Sequence, residues 1–213
     1  MAGGKLYTEL PDIVAPEHSM LVVWDMQNML VNRVFNKNEI LNSVGTLLQA
    51  ARKIQIPVVY TKIIPLPLRF QAPAAVAQQM KRTGIKDVRQ LRSSLGDDPE
   101  ALEIAEAIAP LPEDIVLNKN TASIFLGTNF DYIARYGGVE TLIFTGISTE
   151  FGVESSAREA VNRGYYVVVV SDGVSSANRD AHERSLMNLR VLCEVVSHSE
   201  ILKIWGFQVV SLM

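Results

Sequence analysis

At 213 residues the chain is long enough to bury one sizeable core, and nothing in its length requires a second domain. Hydrophobic residues make up 48% and charged residues 20%, which excludes a disordered chain or a disulfide-dense scaffold. The net charge is -3 and the basic residues are scattered, apart from a modest concentration between Lys81 and Arg92, so nucleic acid is not the expected partner. A small-molecule substrate is the natural expectation.

The opening "MAGGKLYTELPDIV" has no apolar h-region, and runs such as "YYVVVV" are too short to span a bilayer; a cytoplasmic protein without a membrane partner is expected. The single cysteine, Cys193, sits among apolar neighbours and reads as a core residue. His18, His182 and His198 lack ligand spacing, so neither a metal nor another cofactor is expected.

In chain order, "MLVVWDMQ" (20–27) reads as a buried strand and "NEILNSVGTLLQAARKI" (38–54) as an amphipathic helix, with apolar residues at Ile40, Leu41, Val44, Leu47, Leu48 and Ala51. "IPVVYTKI" (56–63) is the second strand. Segment 64–110 breaks the rhythm. It is proline-rich at its start, weakly helical next and then acidic and helical in "DDPEALEIAEAIAPLPED", and is expected to be a lid or substrate-shaping insert. Regular alternation resumes with a strand at 114–119, a helix at 129–137, a strand at 140–147 and a helix at 151–164. A strand at 165–173, a helix at 179–192, a short strand at 193–198 and a last helix at 199–206 complete it. This predicts a single α/β domain with a mostly parallel sheet between two helical layers.

Ligands of open parallel sheets bind beyond the carboxyl ends of the strands. Asp25, Lys62, Lys119 and the turn "GISTEFG" fall there. A partly desolvated Asp25 is a candidate proton-transfer group, or else a loop or capping aspartate; Lys119, with Ser123 and Phe125 close behind, is a positioned charge or a solvated one. At the turn, Gly146 allows the chain to bend, and Ser148 and Thr149 offer hydroxyls at a helix start, for ligand binding or for capping.

Together, "LVVWDMQNMLV", "LNKNTASIFLGTN" and "FTGISTEFGVESSAREA" resemble the isochorismatase-like, or cysteine hydrolase, superfamily, from about Ser19 to Leu202. The resemblance implies a six-stranded parallel sheet of Rossmann-like topology, flanked by helices, and a homo-oligomer, dimer or tetramer. It places Asp25 and Lys119 on the family's catalytic aspartate and lysine, with Gln27 in the same "D-x-Q" element. The family's nucleophilic cysteine falls on Gly152, so that side chain is absent. The resemblance also implies a cis peptide between Ile147 and Ser148, which turns the Ser148 N–H towards the same point as the amide of residue 152. Some members hold a metal after the second strand; here that region reads "YTKIIPLPLRF" and lacks the ligands.

Without a thiol, the thioester route is closed. Isochorismatases also carry glycine at this position, and the resemblance to them implies general acid catalysis. Asp25 would protonate a vinyl ether such as isochorismate, Lys119 would tune it, and Gly152 would leave room for the substrate ring. Two carboxylates would then need basic or amide groups to hold them, for which Arg69 and Arg82 of the insert are the available candidates. Isochorismatases have a tyrosine and a histidine where this chain has Ser148 and Glu150. The alternatives are an amidase-type C–N hydrolase working without the thiol, and a silent relative with a binding or structural role.

Overall fold

The structure is a computed structural model, and it describes residues 5–91 and 98–208. Six strands, β1 (Ser19–Trp24), β2 (Val58–Ile63), β3 (Ile115–Lys119), β4 (Thr141–Ile147), β5 (Tyr166–Ser175) and β6 (Glu194–Val196), form one sheet. Their order is β3-β2-β1-β4-β5-β6, and every neighbouring pair is parallel. Parallel neighbours require crossovers, which the helices Lys37–Lys53, Phe130–Tyr136, Glu154–Asn162 and Arg179–Leu189 provide.

Strand alternation divides the core into two layers. Leu21 and Val23 of β1 face Val44, Leu47 and Ile201, while Met20, Val22 and Trp24 face Phe130, Ala157 and Leu186. A strand covered on both faces must be apolar throughout, which is why "MLVVW" shows no alternation in its sequence. The result is the expected α/β/α sandwich. Strand order reverses direction between β1 and β4, and their carboxyl ends carry Asp25 and the turn that follows Ile147. Such a switch point is where a ligand crevice opens. No helix among the described residues is long and apolar enough to cross a membrane.

Three expectations need correction. The first strand ends at Trp24 and not at Gln27, because Asp25 takes a left-handed backbone, φ 45, a region that aspartate tolerates better than most residues. The helix expected at 151–164 begins with a π-turn, Thr149–Val153, before regular Glu154–Asn162. The acidic helix expected near 97–114 reduces to single turns at Pro99–Leu102 and Glu106–Ile108. There Ile104, Ala105 and Ile108 are drawn into the core, and Gln27 bridges Ile104. Elsewhere in the insert Pro73–Thr83 forms a helix with no buried residue, and positions 92–97 lie outside the described residues.

Gly146 is set directly against Trp24 in the β1–β4 register, with φ 112, and a Cβ there would lie 2.6 Å from the Trp24 backbone nitrogen. Backbone cannot give way as a side-chain tip can. Gly146→Ala is expected to destabilise the protein by about 3 kcal/mol or more, read as a lower urea midpoint; an unchanged midpoint would contradict this packing.

Candidate active site

Three adjacent strand ends deliver one polar cluster. Asp25 follows β1, Thr61 lies in β2 and Lys119 ends β3; all three are buried. Lys119 Nζ donates to Asp25 Oδ2 at 2.6 Å and to the Thr121 carbonyl at 3.2 Å. The Thr61 hydroxyl donates to Asp25 Oδ1 at 2.6 Å and accepts from the Asp25 amide at 3.1 Å. Every polar atom of the carboxylate is thereby engaged, as burial of a charge demands.

Burial pushes the Asp25 carboxyl above the usual carboxylate range, opposed by the Lys119 ammonium and the Thr61 hydroxyl. Burial pushes the Lys119 ammonium down, opposed by Asp25. The two proton affinities therefore approach each other. A carboxyl so placed can exchange a proton with a bound ligand at far less cost than one in water.

The cluster opens on a pocket of about 300 Å³, lined by Trp24, Asp25, Leu30, Ile63, Lys119, Asn120, Thr121, Ala122, Ile147, Ser148, Phe151 and Gly152. The peptide joining Ile147 to Ser148 is cis. Below the turn, Thr149 is fully buried; its hydroxyl donates to the Ser175 carbonyl at 3.1 Å and lies 2.8 Å from His182 Nδ1. With that hydroxyl proton committed to Ser175, Nδ1 is the donor of the His182 contact. Burial lowers the His182 pKa and so favours the neutral ring, whose proton this contact places on Nδ1.

The Cβ direction of Gly152 does not point into the pocket's empty space. A Cβ built on it would overlap the Trp24 indole, reaching 2.5 Å from Cζ2 and closer still to Nε1 and Cε2. The expected room for a substrate ring at Gly152 is therefore filled by Trp24, whose ring also lies 4.1 Å from Lys119 Nζ, a cation–π contact. The half-buried Ser148 and the exposed Phe151 line the same pocket as Asp25.

Asp25, Lys119, Ile147, Ser148 and Gly152 thus meet at one pocket, and five other candidates do not line it. Gln27 is a buried bracket: Oε1 accepts from Ile63 N at 2.8 Å, while Nε2 donates to Ile63 O and Leu102 O. Thr149 supports the turn from behind. Phe125 packs edge-on against Phe130 under the Arg163 guanidinium, because the chain dips into the core at Ile124 and Phe125. Arg69 lies over Phe70 on an exposed turn, and Arg82 is exposed on Pro73–Thr83. Lys62 is taken by Glu103 at 2.7 Å. Cys193 lies just before the edge strand β6, its thiol pushed up to about 12 by burial.

A family profile described as the isochorismatase domain matches residues 19–200. The chain belongs to the isochorismatase family of hydrolases. An isochorismatase family protein from Burkholderia thailandensis is 30% identical, with a TM-score of 0.72 over 89% of this chain and 96% of that one. A cysteine hydrolase from Pseudomonas syringae superposes with a TM-score of 0.74 at 24% identity, covering 97% of this chain and 99% of its own. Among curated proteins, a ureidoacrylate amidohydrolase RutB from Methylobacterium radiotolerans is 27% identical over 92% of this chain and 83% of its own length. A second, from Pseudomonas savastanoi, is 28% identical over 82% and 78%.

Within this isochorismatase-family hydrolase, the residues that sequence reasoning missed are Trp24, Thr61, Leu30, Phe151 and His182. Trp24 had a legible sign. It shares the parity of Met20 and Val22, so its bulk had to point to the face from which Gly152 approaches.

Trp24 and Gly152 are complementary in volume, which gives a direct check. Gly152→Cys alone is expected to cost about 1–3 kcal/mol, since the indole must move. In Trp24→Val/Gly152→Cys the introduced thiol has room beside Lys119, whose charge favours the thiolate. Rapid alkylation by iodoacetamide is expected in the double variant, against slow alkylation of the natural protein; wild-type stability in the single variant would refute the overlap.

Proposed function

We propose that this protein hydrolyses the C–N bond of a small amide or ureido compound, with Asp25 as the proton-transfer group and water, not a side chain, as the nucleophile. The observation that carries this is the buried Asp25–Lys119 pair at the wall of an open pocket, facing a turn whose nucleophile position holds glycine and an indole. The ureidoacrylate amidohydrolase relatives support the C–N class.

In this reading the substrate carbonyl lies over the Ser148–Gly152 turn. Ionised Asp25 takes a proton from a water molecule as its oxygen attacks the carbonyl carbon. The C–N bond then breaks, and Asp25 returns the proton to the departing nitrogen, leaving an amine or ammonia and the corresponding acid. Lys119 keeps Asp25 ionised in the resting site and stabilises the carboxylate each time it re-forms. No covalent intermediate is made.

The competing proton delivery to a vinyl ether keeps Asp25, but Arg69 and Arg82, the candidate anchors for two carboxylates, lie outside the pocket lining.

Ammonia release from a panel of ureido acids and amides tests the proposal. Asp25→Asn is expected to lower kcat by roughly 10²- to 10⁴-fold. A general base acts when ionised, so kcat/KM should rise with pH through the Asp25 pKa, and the limb should lie above the ordinary carboxylate range because burial raises that pKa. A rate that instead falls with pH across this limb would identify an acid and favour the vinyl-ether chemistry. Full activity in Asp25→Asn would exclude both.

A further inference from the structure

The proposed reaction leaves a buried polar group at the pocket, the Trp24 indole N–H, without a task. Trp24 is 1% exposed and lines the pocket beside Asp25, Lys119, Ser148 and Gly152. Its Nε1 is the atom nearest the point where a Cβ on Gly152 would stand. The indole N–H has no acceptor among the described residues. Nor is it one of the enclosed, unpaired side-chain atoms, which among the described residues are Ser19 Oγ, Arg52 Nε and Glu150 Oε2, so the N–H borders free space. The other tryptophan behaves differently: Trp205 Nε1 donates to the Val14 carbonyl at 2.9 Å. An indole held deep in a protein ordinarily finds such a partner.

Two contacts hold the ring in place. Lys119 Nζ lies over one face, and Gly152 closes on the Nε1 edge. The N–H is therefore a fixed donor, neutral at every accessible pH, set at the position from which a thiol would have attacked. The Ser148 hydroxyl, also without a partner among the described residues, lines the same pocket.

We infer that Trp24 is a substrate-binding donor: its indole N–H binds the carbonyl oxygen of the substrate in the place that a nucleophile would occupy. This rests on the C–N hydrolase reading and narrows its substrate class to compact groups whose carbonyl oxygen can turn towards Trp24 while the carbonyl carbon faces Asp25. A fixed donor aimed at that oxygen also gains strength as negative charge builds there during water attack. The residue that closes the covalent route thus serves the direct one.

The test uses full-length Trp205→Phe protein, in which Trp24 is the only indole, labelled with ¹⁵N. Titration with N-carbamoylglycine, and separately with acetamide, is expected to move the Trp24 Nε1–H resonance downfield in a saturable way. Trp24→Phe keeps a ring against Lys119 but lacks the N–H. Its Kd for the same probe should rise about tenfold, the worth of one neutral hydrogen bond. Replacing Trp24 by benzothienylalanine preserves the bicyclic shape, and equal weakening there assigns the loss to the N–H. An unmoved resonance at saturating probe, full affinity in the benzothienyl protein, or no binding of either probe overturns the inference. Ammonia release lost in Asp25→Asn but with an unmoved resonance would leave the hydrolase reading standing without this role for Trp24. A saturable shift with no hydrolysis of any C–N substrate would do the reverse.

Discussion

The buried contact between Asp25 and Lys119 is the constraint around which the rest of the site is arranged. Removing two ions from water costs about several kcal/mol each, and only close geometry with further hydrogen bonds offsets it. Here the offsets are a 2.6 Å ion pair, the Thr61 hydroxyl, the Thr121 carbonyl and the Trp24 ring. The partners come from β1, β2 and β3, which neighbour one another only because the sheet order runs β3-β2-β1. Topology thus places the pair, and burial then shifts both proton affinities towards each other.

Trp24 and Gly152 form the second half of the arrangement. Strand parity sends the Trp24 side chain to the face where the turn after β4 approaches, so one position must be small if the other is large. Gly146 solves the same problem for the backbone, lying against Trp24 where no Cβ fits. The turn is braced from below by Thr149, His182 and the Ser175 carbonyl, which fix its position without entering the pocket. Where the resemblance places a nucleophile, the pocket wall is Trp24 packed on Gly152.

Much of this was legible in the residues. Continuous apolar runs gave away the strands because both sheet faces are covered, and the strand ends directed attention to Asp25, Lys119 and the Ile147–Gly152 turn. The failures share a cause. Phe125 follows Lys119 closely in sequence, but proximity along the chain says nothing about which way the chain turns, and here it turns into the core. Arg69 and Arg82 were read from charge in a segment with no dominant periodicity, where nothing in the sequence specifies direction. Gln27 and Thr149 sit behind the pocket as supports: Gln27 bonds only to backbone, and Thr149 bonds to the Ser175 carbonyl and the His182 ring. The filling of the Gly152 position required tertiary information, since a glycine reads as a gap until its neighbour across the sheet is known.

Under the proposed C–N hydrolysis, with the nucleophile position taken up by packing, no covalent enzyme intermediate forms. The most direct measurement is intact-protein mass spectrometry on samples quenched in acid during steady-state turnover of a C–N substrate. The unmodified protein mass is predicted throughout turnover; an acyl or carbamoyl adduct that appears with substrate and disappears on its exhaustion would contradict the direct attack of water.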